Sequence, residues 1–205
     1  MTTLVVLAKE PVPGRVKTRL NPPFNHHQAA ELAAAALADT LAAVAAAPAT
    51  RRILALAGAP GPWLPPGIEV VSQVDGGLDL RIAAALRTAR GPVLLIGMDT
   101  PQVRPDLLAA RWDADAQLGL AEDGGYWAIG LRDPADAARV LPGVPMSTPD
   151  TGAAQLARLR AAGLSVRQLP VLRDVDTAAD AYAVAALAPH GRFAAVLRSL
   201  VAVPA

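Results

Sequence analysis

Two kinds of apolar pattern alternate along this chain. Short runs with little polar interruption occupy positions 4–8, 52–57, 68–72, 91–97, 116–121, 126–131 and 165–171, and most are bounded by Gly, Pro or Asp. Their length and their content of Val, Ile and Leu predict strands. Within 91–97, Pro92-Val93-Leu94-Leu95-Ile96 does not alternate, as expected of a central strand covered on both faces. Segments with helical spacing lie between the runs. Positions 25–47 carry Leu32, Leu37, Leu41 and Val44 as a rough stripe. That segment opens on Asn25 with Gln28 at a capping-box spacing and stops at Pro48. Further helices are predicted from Pro101, through Leu78, Ile82 and Leu86, and after Thr148 with Pro149 at the first helical position. Two more are predicted after Thr177, with Asp180 closing a capping box, and over 190–201. Strands alternating with helices, with one hairpin in the second half, predict a three-layer α/β/α sandwich around a mostly parallel mixed sheet, with 1–205 as a single domain.

Composition narrows the function. The net charge is +1 and aromatic residues are 3% of the chain, so neither a global positive field nor a stacking platform recruits nucleic acid. The apolar stretch 32–47 is broken by Asp39, and no segment reads as a membrane span. The chain begins directly with a short strand and lacks a basic n-region, which gives the expectation of a cytoplasmic protein. Cysteine is absent, which removes disulfides, thiolate metal sites and a cysteine nucleophile.

Candidate chemistry gathers where strands end. The first strand runs into Lys9-Glu10-Pro11-Val12-Pro13-Gly14-Arg15-Val16-Lys17-Thr18-Arg19-Leu20, whose prolines and glycine forbid helix and strand. Lys9 and Lys17 are the only lysines in the chain, and both sit here with Arg15 and Arg19. A basic, Gly-containing loop after a strand is a common cradle for phosphates. Gln73 and Arg81 fall at the same predicted sheet edge, where open α/β folds bind ligands, and are candidates to meet a nucleotide. Asp99 follows the central strand directly, where a carboxylate can hold a divalent cation against a diphosphate; a turn before Pro101 is the simpler alternative. Glu122-Asp123-Gly124-Gly125 separates two strands. It is at least a hairpin turn, and its glycines also permit close approach of a ligand to backbone beside an acid or base. Ser147 and Thr148 are cap candidates first and substrate contacts second. Asp174 and Asp176, two apart in an extended segment, share one face and are candidates for a metal shell. His26 and His27 are adjacent at a helix start and make poor joint ligands.

Taken together, Ala8-Lys9-x-Pro11-x-Pro13-Gly14-x-x-Lys17-Thr18-Arg19-Leu20, Gly97-x-Asp99-Thr100-Pro101, Glu122-Asp123-Gly124-Gly125-Tyr126, Ser147-Thr148-Pro149 and Asp174-Val175-Asp176-Thr177 resemble the DUF2064 family. These are small GT-A-fold proteins similar to nucleotide-diphospho-sugar transferases and, in fold, to the molybdopterin and phospholactate guanylyltransferases. The resemblance runs over nearly the whole chain. It implies a nucleotide-binding loop formed by Ala8, Lys9, Pro11, Gly14, Lys17 and Arg19, and Mg²⁺ or Mn²⁺ on Asp99 completed by Asp174 or Asp176. It also implies a substrate border made by Gly124, Gly125 and Tyr126. Lys17 and Asp123 become the candidate catalytic residues, Asp123 to deprotonate an acceptor. The partners implied are a nucleotide-sugar or an NTP and a small-molecule acceptor, so the expected activity is metal-dependent glycosyl transfer, with nucleotidyl transfer or nucleotide binding without turnover as alternatives. Met98 and Met146 stand where the family pattern leads one to expect Ser and Trp.

Overall fold

The computed structural model describes residues 2–202. Its strands are β1 (Thr3–Lys9), β2 (Arg51–Ala57), β3 (Glu69–Ser72), β4 (Val93–Gly97), β5 (Ala116–Ala121), β6 (Tyr126–Leu131) and β7 (Val166–Leu172). Its helices are α1 (His26–Ala46), α2 (Leu78–Leu86), α3 (Ala137–Val140), α4 (Thr151–Ala161), α5 (Ala178–Leu187) and α6 (Arg192–Ala202). The seven strands form one sheet in the order β3-β2-β1-β4-β6-β5-β7. Strands β1, β2, β3 and β4 run parallel, β5 is parallel to β7, and β6 is antiparallel to both of its neighbours. The chain therefore has the α/β sandwich and mostly parallel mixed sheet that its pattern predicts.

Two-residue periodicity sorts the inner strands onto two covered faces. Leu4, Val6, Leu54, Leu56, Leu94 and Ile96 pack with Leu37, Leu41 and Val44 of α1. Val5, Ile53, Ala55, Val93 and Leu95 face the other way, onto Ile82 and Leu86 of α2, Val140 of α3 and Leu159 of α4. The opposite side of α1 meets α5 and α6 in a third cluster containing Leu32, Ala36, Ala181, Val184, Phe193 and Leu197. Because α1 is enclosed between the sheet and this outer layer, it is apolar nearly all round. By length and mean hydropathy (1.5) α1 has the dimensions of a membrane span, contrary to the expectation from Asp39. However, 61% of that stretch is buried within the fold, so its apolar character is that of a core helix. Asp39 has a structural task instead: its carboxylate accepts the Arg192 and Phe193 backbone N–H groups (3.0 and 2.9 Å) and so caps α6.

Local signals place several boundaries correctly. Asn25 and Gln28 form both bonds of a capping box on α1, and Thr177 and Asp180 do the same on α5. Three boundaries differ. Positions 101–110 fold as successive turns, so Pro101 does not start a helix. Helix α4 begins at Thr151, because Thr148 turns back to accept the Thr151 N–H (3.1 Å) and donates its own N–H to Thr151 Oγ1 (3.0 Å). Finally, a short 3₁₀ turn, Pro134–Asp136, capped by Asp133, leads into α3, which the apolar pattern did not reveal.

Candidate functional site

The parallel strands, with β5, deliver their C-terminal ends to one edge of the sheet, and β1 and β4 meet where the strand order reverses direction, a place where open α/β sheets bind ligands. The loop after β1 is held there by its own sequence. Val16 is buried and Leu20 is fully buried, which pins both sides of Lys17. Lys17 is in the left-handed region (φ 48, ψ 38), from which it enters the short 3₁₀ turn Thr18–Leu20. Gly14 (φ 76) and Arg15 stay exposed at the tip. The Lys9 backbone N–H points to the Met98 sulfur (3.3 Å), tying the loop to the end of β4.

Lys17 reaches into the site with only 9% of its side chain exposed. Its Nζ lies 2.8 Å from Asp99 Oδ1 and 3.0 Å from Asp176 Oδ1, and Arg19 Nη1 is 3.6 Å from the other Asp176 oxygen. Burial alone would lower the affinity of the ammonium for its proton; the charges and hydrogen bonds of Asp99 and Asp176 outweigh this and raise it. The loop cation expected beside phosphates is therefore engaged by two of the three candidate metal carboxylates.

Asp174 completes the group. The segment after β7 is sewn to the loop after β4 by Val175 N–H to Asp99 O (2.9 Å) and Gln102 Nε2 to Arg173 O (2.7 Å). Val175 is buried in the core, so Asp174 and Asp176 face outward together, as extended alternation requires. Asp174 Oδ1 is buried and has no hydrogen-bond partner. Burial, then the negative charges of Asp99 and Asp123, push the Asp174 carboxyl up to about 7, with Lys17 acting in the opposite sense and Asp176 adding to the rise. Glu122, Asp123, Arg173, Asp174, Asp176 and Asp180 line an open cleft of about 250 Å³. Arg173, which carried no distinctive sequence signal, clamps Glu122 (Nε to Oε2, 2.6 Å) and so removes that carboxylate from the acid–base candidates.

The acidic turn is shaped by its neighbours. Asp123 Oδ1 accepts the Gly125 N–H (2.8 Å). Gly124 has φ +90, and a Cβ there would stand 1.9 Å from the Pro149 carbonyl oxygen. The Gly152 N–H donates to Gly124 O (2.8 Å), locking the start of α4 onto the turn. Ser147, also left-handed (φ 59), and Thr148 are exposed beside this junction.

The remaining candidates lie along the same edge. Gln73 spends its amide N–H groups on Ala8 O (2.8 Å) and Ala55 O (2.9 Å), capping strand ends, which leaves its carbonyl oxygen as its free hydrogen-bonding group. The Arg81 Nε donates to Gly76 O (2.9 Å). The Tyr126 hydroxyl points to the Met146 sulfur (3.8 Å); its burial, with the Asp79 charge, raises its pKa. Pro11 is half-buried in the first loop. Among the described residues no three His, Asp or Glu side chains stand close enough to hold an ion in the present arrangement; the carboxylates of Asp99 and Asp176 are instead bridged by Lys17.

A basic loop after β1, an aspartate after β4 and a mixed sheet with one reversed strand define a protein of the nucleotide-diphospho-sugar transferase-like fold. The chain belongs to the DUF2064 family, described as an uncharacterized protein conserved in bacteria, whose model matches residues 28–148. That span contains Asp99 and Asp123, whereas Lys17, Asp174 and Asp176 lie outside it. No curated protein matches the sequence. The crystal structure of a candidate nucleotide-diphospho-sugar transferase from Desulfovibrio desulfuricans G20 is similar at 27% identity and a TM-score of 0.87, over 97% of this chain and 94% of that one. Rv0371c of Mycobacterium tuberculosis H37Rv, crystallised with manganese, shares the fold at 24% identity and a TM-score of 0.53, over 89% and 96% of the two chains. The 2-C-methyl-D-erythritol 4-phosphate cytidylyltransferase of Thermus thermophilus shares it at 18% identity and a TM-score of 0.57, over 92% and 100%.

Proposed function

We propose that this protein is a transferase that takes a nucleotide-diphospho-sugar as donor and passes the sugar to a small acceptor, with residues 1–205 acting as one domain. The observation that carries the proposal is the convergence of Lys17 with Asp99, Asp174 and Asp176 at the sheet edge where β1 meets β4. The carboxylates offer only oxygen donors, which suit Mg²⁺ or Mn²⁺. Asp174 Oδ1, buried without a partner, is the kind of orphaned acceptor that a cation satisfies. Bound there, a divalent ion would offset the charge of a diphosphate leaving group. The likeness to the Desulfovibrio protein favours a sugar nucleotide, and the manganese complex of Rv0371c favours a divalent ion.

The chain's own residues supply the rest. Lys17 and Arg19 bring positive charge to the phosphates, with the backbone of the loop from Ala8, Lys9 and Pro11 to Gly14 alongside. Gln73, with its donors spent on the strand ends, offers the base an acceptor, and Arg81 flanks it. Asp123, oriented through its bond to Gly125, takes the proton of the acceptor hydroxyl. Gly124, Gly125, Tyr126, Ser147 and Thr148 border the sugar and acceptor side.

The cytidylyltransferase likeness supports a second reading, nucleotidyl transfer, in which an acceptor phosphate attacks the α-phosphate of an NTP. Product analysis separates the two. Incubation with a panel of sugar nucleotides, NTPs and acceptors in Mn²⁺ is expected to release nucleoside diphosphate. Release of inorganic diphosphate from an NTP would establish the second reading, and release of neither would refute both.

A further inference from the structure

Lys17 differs from the other cations of this edge. Its side chain is enclosed, whereas that of Arg19 is 78% exposed. The ammonium is a compact point charge whose donors meet Asp99 and Asp176 at 2.8 and 3.0 Å. Its backbone is fixed between buried Val16 and Leu20, in a left-handed conformation that non-glycine residues keep only where the surroundings impose it. Lysine thus occupies the space between two of the carboxylates assigned above to a divalent ion, while Asp174 Oδ1 is left unpaired beside them.

We infer that Lys17 is an internal counter-ion that holds the metal carboxylates closed, so that a divalent cation enters together with a nucleotide whose phosphates draw the ammonium away from Asp99 and Asp176. The inference rests on the metal reading proposed above and adds a binding order to it. A dication arriving alone meets an ammonium a few ångströms away and two carboxylates whose joint charge that ammonium has already halved. Arriving with a diphosphate, it exchanges partners without loss of charge balance: the carboxylates pass to the cation and the ammonium passes to the phosphates. Binding of each ligand then strengthens binding of the other by the same factor.

The test uses Mn²⁺ alone, titrated into the full chain and followed by calorimetry and by the paramagnetic resonance signal of the free ion. Lys17→Met is expected to bind Mn²⁺ at least about tenfold more tightly than the wild type, because the competing charge is gone. Lys17→Arg, which keeps the charge, is expected to show no gain. Lys17→Gln keeps donors without the charge; it is expected to gain as Lys17→Met does and replaces it should that variant fail to fold. Adding Asp99→Asn is expected to abolish the gain. Wild-type Mn²⁺ affinity should rise when a nucleoside diphosphate is present, and this dependence should shrink in Lys17→Met. Equal or weaker Mn²⁺ binding by the uncharged variants overturns the inference. If the wild type with nucleoside diphosphate still takes up Mn²⁺ in an Asp99-dependent way, the metal site survives and only the counter-ion role falls. If no variant takes up Mn²⁺ under either condition, the metal site falls and the inference falls with it.

Discussion

Gly124→Ala tests how the acidic turn is held. The residue has φ +90, and an added Cβ would meet Pro149 O at 1.9 Å, Pro149 C at 2.7 Å and Pro149 Cα at 2.9 Å. All three are backbone atoms, so no side chain can rotate aside. The left-handed backbone alone costs about 1–2 kcal/mol for a residue with a Cβ. To relieve the clash the segment before α4 must lift, which breaks the bond from Gly152 N–H to Gly124 O at a further cost of about 1 kcal/mol. The expected loss is therefore about 2–3 kcal/mol, or roughly 4–12 °C in Tm for a chain of this size. Gly163→Ala is the control: its φ is +78, but nothing lies within 4 Å of a Cβ there, so only the backbone cost applies. Thermal unfolding followed by circular dichroism measures both. If Gly124→Ala loses no more than Gly163→Ala, the contact between the turn and Pro149 does not hold the turn in place.

Three further outcomes are expected. Lys17→Ala should weaken nucleotide binding about 10-fold or more, the scale of a lost hydrogen bond to a charged group; unchanged affinity by calorimetry would remove Lys17 from the phosphate site. The Asp174 carboxyl is raised to about 7 in the fold, so the folded state binds its proton more tightly than the unfolded state does. Its contribution to stability is fully present below about pH 4 and is lost as pH rises to about 7, by about 4 kcal/mol at most. In chelator, Asp174→Asn should flatten the fall in the urea midpoint across this window, and an unaltered slope would assign it to other groups. Asp39→Ala removes the acceptor for two backbone N–H groups at the start of α6 and should cost about 1–2 kcal/mol in urea unfolding; a loss within error of zero would mean that water replaces the cap.

What could be read from the chain was what neighbours in sequence decide. The run 92–96 was legible as a central strand because both faces of β4 are buried. The caps at Asn25 and Thr177 were legible because both partners of each lie three residues apart. Asp174 and Asp176 could be placed on one face because extended backbone alternates, with Val175 turned inward. What stayed hidden depends on contacts across the fold. Lys17 looked like a free phosphate ligand, and its carboxylate partners come from Asp99 and Asp176 on other loops. Gln73 looked like a side chain able to meet a nucleotide, and its amide donors are spent on carbonyls of β1 and β2. Asp39 looked like an interruption in an apolar helix, and its role is set by an N-terminus more than 150 positions away. The start of α4 moved to Thr151 because, beside the bonds between Thr148 and Thr151, the turn at Gly124 claims the Gly152 N–H, a contact that neighbours in sequence do not contain.

The place of β7 at the end of the sheet bears on how the protein is made. Until β7 joins, β5 is an open strand whose Gln117 and Leu118 are buried in the finished fold. About 45 residues separate the end of β5 from the start of β7, a wait of roughly 2–9 s at about 5–20 residues per second of synthesis. During that interval the nascent chain carries an apolar, unpaired edge, the kind that neighbouring chains can extend. Asp174 and Asp176 follow directly on β7, so the pairing that shields β5 also brings the last two carboxylates to the site.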